Sequence, residues 1–367
     1  MPATKPALPS PAKCRSGQRA IVTWFARHQR TLPWRTDRSP YRVWVAEIMA
    51  QQTRIATVTP YFERFLRRFP DVVALANAPL DDVLARWSGL GYYRRAHHLH
   101  QTARAIVNQY GGEWPRDPDT LRKLPGIGRY TAGAIASIAF NQPAPVLDGN
   151  VMRVLTRLYN LTGNINETAT RNFLWKLAAA LAPHNEPRTF NEGIMELGAL
   201  VCTPRSPACP RCPLRRMCLA RRAGVAEKRP VKKSKRTPLT VRLLVAVVRN
   251  ENGAVLLARH DGCGLYPGLW GLPHCGPNPD RSDAGVVAAA LRKQFGAPVR
   301  KVRKRGSLTH LLTHRRLEID IFECAWPAPR SPNGEVRWLD DDEDVSALGL
   351  SSLTRRILKM VSAFRVA

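Results

Sequence analysis

The 367-residue sequence has no run of 18 or more apolar residues, so nothing in it reads as a membrane-spanning helix. Its opening, MPATKPALPSPAKCRSGQRA, lacks the apolar core and small-residue cleavage site of a secretory signal. An intracellular, cytoplasmic protein with no membrane contact is expected, and a monomer. Acidic residues are scarce: 28 Asp and Glu face 57 Lys and Arg, a net charge of +29. A surplus of that size creates a field that attracts polyanions, and no basic amphipathic helix directs it to lipid. Nucleic acid is therefore the leading partner class. Disulfides are not expected in a reducing compartment, so the eight cysteines point to ligation or burial. No internal repeat of fixed period is evident.

Length favours two cores, since single cores stop growing near about 250 to 300 residues. Residues 1–16 read as a disordered tail, and from Gly17 to about residue 225 the apolar spacing is helical. In SPYRVWVAEIMAQQT, Ser39 suits a cap, Pro40 the first helical position, and Tyr41, Val45, Ile48 and Met49 one core face. Further helices are expected at DDVLARWSGL, RAHHLHQTARAIVNQY, VMRVLTRLYNL, TRNFLWKLAAALA and TFNEGIMELGALVC. Six of the nine residues from Lys228 to Arg236 are basic, which marks a linker over 226–238. From residue 239 the pattern changes. LTVRLLVAVVRNENGAVLLARH reads as a hairpin, AGVVAAALRKQF as a helix, LEIDIFECAW as strand and LSSLTRRILKMVSAF as a terminal helix, together an α+β domain over 239–367.

Three stretches carry chemistry. LRKLPGIGRYTAGAIASIAF predicts a short helix to Leu124, a glycine turn, and a second helix with Ile135, Ile138 and Ala139 facing a core. Without side chains at Gly126 and Gly128 a backbone approaches closely, and free N–H groups at the helix start bind a phosphate oxygen, a seat for DNA. Glu47 lies on an otherwise apolar helix, where burial favours a carboxyl that keeps its proton. Asp148 precedes a Gly-Asn turn, and Asn150 is a candidate cap for a helix beginning near Val151. Cys202, Cys209, Cys212 and Cys218 form a C-x6-C-x2-C-x5-C series that suits an iron-sulfur cluster, with zinc as the alternative.

The glycine-turn segment resembles the helix-hairpin-helix of the endonuclease III superfamily of DNA glycosylases, and the chain as a whole resembles the MutY-type adenine glycosylases. The resemblance implies a multidomain fold: a mainly α helix-hairpin-helix domain with an iron-sulfur loop, then an α+β MutT-like (Nudix) domain. Bifunctional relatives carry a nucleophilic lysine where this chain has Tyr130, so a glycosylase that uses water and leaves an abasic site is implied. The alternative is an endonuclease III-like lyase acting on oxidised pyrimidines. By resemblance Glu47 protonates adenine, Asp148 stabilises the sugar cation, and Tyr130 and Asn150 support Asp148. Trp34, Arg35 and Glu192 line the pocket for an extruded adenine, since a stacked base cannot reach such a site. Gln52, Thr53, Leu90 and Tyr92 fill or wedge the vacated helix.

The cysteine series matches the superfamily's loop for one 4Fe-4S cluster. GLYPGLWGLPHCG resembles a segment of the MutT-like fold, but the helix AGVVAAALRKQFG has no carboxylates for magnesium, so nucleotide hydrolysis is not expected. Thr313 and His314 sit where the family contacts 8-oxoguanine, although Leu312 and Thr313 depart from its Phe-Ser-His pattern. The expected partner is double-stranded DNA with adenine opposite 8-oxoguanine or guanine, and a prokaryotic protein of this kind would associate with the nucleoid.

Overall fold

The computed structural model describes residues 7–232, 237–260, 265–326, 332–340 and 343–363. Residues 1–6 of the expected tail and 233–236 of the expected linker lie outside them. The chain forms two compact units, Met1–Asn77 with His98–Ser234, and Ala78–His97 with Lys235–Ala367.

The first unit is helical. Its elements are α1 (Pro11–His28), α2 (Pro33–Thr36), α3 (Pro40–Ala50), α4 (Ile55–Arg68) and α5 (Val72–Asn77). After α6 (Leu80–Trp87) of the other unit come α7 (Arg94–Tyr110), α8 (Pro118–Leu121), α9 (Arg129–Ala134), α10 (Gly149–Leu158), α11 (Thr168–Leu181), α12 (Pro187–Leu200) and α13 (Leu219–Arg222). The expectation of a disordered tail through residue 16 is corrected at its end. α1 starts at Pro11, a residue with φ preset for a first turn, and Cys14 is already buried in the core. α10 shows how pattern becomes packing: Val151, Val154, Leu155 and Leu158 recur at helical spacing and join Ile21, Phe25, Leu174, Leu177, Ile194 and Leu197 in one cluster. α3 and α12 are buried on almost every side, which makes them the central helices. Ser39 takes the cap position of α3 without a side-chain bond.

The second helix of the glycine-turn segment is shorter than expected. α9 passes at Ile135 into a π-helical stretch, Ile135–Ala139, in which Ile135 and Ile138 are buried. Gly126 has φ +72, and a Cβ there would lie 2.5 Å from His98 Cβ. The turn therefore needs glycine for both backbone and space. Gly128 caps α9, and a Cβ there meets nothing, so its surface is open.

The second unit has a mixed sheet in the order β3-β2-β1-β6-β5, with β4 beside β1 and β7 beside β2. The strands are β1 (Leu239–Arg249), β2 (Val255–Arg259), β3 (Trp270–Gly271), β4 (His274–Cys275), β5 (Arg300–Leu311), β6 (Arg315–Ala325) and β7 (Val336–Leu339). β1 and β2 are antiparallel and joined through the expected turn, where Gly253 has φ +85. β1 lies parallel to β6 and has two buried faces. Leu243, Val245 and Val247 pack with Leu353, Ile357 and Val361 of α15 (Ser352–Ala363), and Leu244, Ala246 and Val248 with Val287, Leu291 and Phe295 of α14 (Asp283–Phe295). This is period-two alternation with a helix on each side.

Two features were not legible in the sequence. β5 is an edge strand whose Arg300, Lys301, Arg303, Lys304 and Arg305 hide its alternation while protecting the edge from pairing. Residues 78–97, expected within the helical domain, instead pack within the second unit. Arg259 pairs with Asp81 at 2.5 Å, and Ser88 Oγ donates to Leu350 O at 2.6 Å.

Candidate active site

α3 buries Tyr41, Val43, Trp44, Val45, Ala46, Ile48 and Met49 and leaves Glu47 only partly covered. The hydroxyl of Tyr130, the second residue of α9, donates to Glu47 Oε2 at 2.5 Å and lies 3.3 Å from Met195 Sδ of α12. Burial raises the Glu47 carboxyl to about 7; the Tyr130 bond opposes this, the charges of Asp148 and Glu192 add to it, and Arg35 opposes it. The same burial, with Glu47 and Asp148 nearby, pushes the Tyr130 phenol well above its ordinary value. Tyr130 is thus a neutral donor.

Asp148 caps α10, where Asn150 was the candidate. Its Oδ1 accepts from Val151 N at 2.7 Å and its Oδ2 from Asn150 Nδ2 at 2.9 Å. Burial raises its carboxyl, while these hydrogen bonds pull the other way. Of the two residues expected to support Asp148, Asn150 bonds it directly, whereas the hydroxyl of Tyr130 is committed to Glu47. Asn150 is fixed in turn: Arg153 Nη2 donates to its Oδ1 at 2.8 Å and to Gly198 O at 2.7 Å. Gly198 lets α12 approach, since a Cβ there would lie 2.6 Å from Asn150 Cβ.

Trp34 and Arg35 lie on α2, and Trp34 meets Phe62 edge-on at 5.2 Å. Arg35 is held on several sides. Its Nε is 3.3 Å from Glu192 Oε1, its Nη1 donates to Glu196 Oε1 at 3.1 Å and Arg30 O at 3.0 Å, and its Nη2 donates to Glu196 Oε2 at 3.1 Å. Arg38 Nε donates to Glu192 Oε2 at 3.1 Å, and Arg30 Nη2 to Glu196 Oε2 at 2.6 Å. Burial works against the charge on Glu196, but the hydrogen bonds from Arg30 and Arg35 outweigh it and hold the carboxyl down at about 2. Sequence reasoning missed Arg30, Arg38, Arg153 and Glu196. One signal was present: Glu192 and Glu196 stand four apart, on one face of an apolar helix.

Gln52 and Thr53 follow α3; Gln52 is exposed with φ +58, and Thr53 Oγ1 donates to Gln51 O at 3.3 Å. In the second unit Leu90 is buried, and Tyr92 is 42% exposed with φ +50. Thr313 and His314 are exposed in the turn joining β5 to β6, closed by Leu312 N donating to Arg315 O at 2.8 Å. The Tyr92 hydroxyl and Thr313 Oγ1 are 2.5 Å apart, a hydrogen bond across 221 residues that no sequence spacing announces.

Cys202, Cys209, Cys212 and Cys218 are all partly buried. Burial first, and then the neighbouring Cys202, Cys218 and Cys209, raise Cys212 to about 12, so the four sulfurs share one neighbourhood. Arg157, buried on α10, donates to Cys202 Sγ at 3.3 Å, and Cys218 Sγ donates to Arg157 O at 3.4 Å. Four soft thiols suit an iron-sulfur cluster or zinc in kind. Among the described residues, however, no three His, Cys, Asp or Glu side chains are gathered closely enough to hold a metal ion.

Comparison with known proteins agrees with this layout. Residues 45–180 match the HhH-GPD superfamily of base excision DNA repair proteins, and residues 244–360 match the NUDIX domain. The chain is 34% identical to the adenine DNA glycosylase of Mus musculus, over 94% of this chain and 78% of that one. It is 41% identical to that of Buchnera aphidicola subsp. Schizaphis graminum, over 63% of this chain and 67% of that one. A thermostable thymine-DNA glycosylase superposes with a TM-score of 0.52 at 31% identity, covering 59% of this chain and 98% of that one. The chain belongs to the adenine DNA glycosylase family of base excision repair enzymes.

Proposed function

We propose that the protein hydrolyses the N-glycosidic bond of adenine mispaired with 8-oxoguanine or guanine in duplex DNA and leaves an abasic site without cutting the strand. The observation that carries this is Glu47, a carboxyl raised to about 7 and held by the Tyr130 hydroxyl, with the helix-capping Asp148 near enough for its charge to act on it. Glu47 gives its proton to N7 of an extruded adenine, and the C1′–N9 bond breaks with its electron pair leaving on the base. Asp148 stabilises the positive sugar, water adds to C1′, and the Glu47 carboxylate takes a proton from that water, which restores the acid. The Tyr130 phenol, protonated and bound to Glu47, offers no amine for a Schiff base.

The exposed Thr313 and His314 are proposed to contact the base opposite adenine, and the open turn at Gly126 and Gly128 to seat the DNA backbone. The four cysteines are proposed to hold one 4Fe-4S cluster, which when bound supplies a covalent cross-link that fixes the 202–218 loop. Single-turnover assays on duplexes carrying adenine opposite 8-oxoguanine, guanine or thymine, with and without alkali, test the whole reading. Release of free adenine, with strand scission only after alkali, is expected; no base release from any mispair overturns it, and scission without alkali indicates a lyase.

A further inference from the structure

The ionisable groups acting on Glu47 come from four directions: Tyr130 of α9, Asp148 at the cap of α10, Glu192 of α12 and Arg35 of α2. Arg35 is the only cation among them, and it pulls toward ionisation. Its charge is answered on the far side by Glu196, one helical turn beyond Glu192, which accepts from both terminal nitrogens of Arg35 at 3.1 Å. Glu196 is 1% exposed and also binds the backbone N and Nε of Arg30 at 2.9 Å. Replacing a whole buried ion cluster by apolar groups of similar volume is often neutral, so its presence is weak evidence of a stabilising role. Here it has a further consequence. The guanidinium Nε lies 3.3 Å from Glu192 Oε1, and the opposing charge of Glu196 weakens the pull that Arg35 exerts on the acid.

We infer that Glu196 is a positioning residue of this reaction: by gripping Arg35 in a two-pronged bond and balancing its charge, it keeps Arg35 from drawing the proton off Glu47. This rests on the reading of Glu47 as the acid. The test is the single-turnover rate of adenine release as a function of pH at saturating duplex for wild type, Glu196→Gln, Glu196→Asp and Arg30→Gln. Wild type should lose rate as pH rises through about 7. Glu196→Gln should move that midpoint down by about half a pH unit or more, the scale of one uncompensated charge near a buried site. Glu196→Asp, with the charge retained, should stay near wild type. Arg30→Gln, which leaves Glu196 with one cation fewer, should move the midpoint the opposite way, and it remains informative if Glu196→Gln does not fold. Rates lowered equally at every pH, with fixed midpoints, would reduce Glu196 to a structural ion pair and overturn the inference. A wild-type rate with no fall across neutral pH would remove Glu47 as the acid, and this inference with it.

Discussion

Glu47 in the helical unit and Asp320 in the sheet unit are both carboxyls drawn into protein, and they end in opposite states. Asp320 accepts from Ser307 Oγ at 2.6 Å and pairs with Lys304 and Arg242, each at 2.6 Å. Burial pushes its carboxyl up, but these partners outweigh it and bring it down to about 2. Among the described residues Glu47 has one hydrogen bond, from a neutral phenol, with two acidic neighbours, and it rises to about 7. Burial is the largest influence on each carboxyl; at Glu47 it prevails, whereas at Asp320 two cations and a hydroxyl together outweigh it. A carboxyl kept short of cations suits proton transfer, whereas one surrounded by them ties strands together.

The contrast breaks most visibly if Glu47→Gln still releases base. The variant keeps the shape and loses the proton, so adenine release should fall about a thousandfold, within the range for one general acid, while a binding titration shows DNA affinity retained. The same variant should be more stable than wild type at high pH. A carboxyl with a folded pKa raised above its unfolded value loses stability as pH rises from 4.5 to about 7, so Glu47→Gln should gain up to about 3 kcal/mol at pH 8 and nothing below pH 4.5 in urea melts.

Gly126→Ala, forced into φ +72 against His98, should cost about 2 kcal/mol in urea melts. Gly128→Ala should leave stability nearly unchanged and weaken DNA binding instead. For Asp320→Asn the sign runs opposite to Glu47. Its depressed carboxyl contributes stability above pH 4 that fades as pH falls toward 2, and because Lys304 and Arg242 are nearly half exposed the loss at pH 7 should be about 1 kcal/mol, again by urea melts. The smallest change expected is in Thr313→Ala, with about a fivefold loss of preference for 8-oxoguanine over guanine in single-turnover assays, the scale of one hydrogen bond.

Local signals make Glu47, Asp148 and the cysteine series legible in the amino-acid sequence: a charge on an apolar helix, an acid ahead of a turn, thiols at fixed spacing. Neither those signals nor the family resemblance supplies direction. Asp148 rather than Asn150 caps α10, because only its carboxylate reaches Val151 N, and Tyr130 turns to Glu47. Arg30, Arg38 and Glu196 escape the sequence because Arg30 meets Glu196 and Arg38 meets Glu192 across more than 150 residues, where composition says only that the chain is basic. β5 escapes notice because an edge strand rich in lysine and arginine looks like a solvated loop, and chain order assigns residues 78–97 to the helical domain although they pack with the sheet unit.

Protonation of Glu47 is open to direct measurement by infrared difference spectroscopy of wild type against Glu47→Gln across a pH series. A protonated carboxyl band at pH 6 that disappears with a midpoint near 7 is the predicted result. An ionised Glu47 at pH 5 would contradict it.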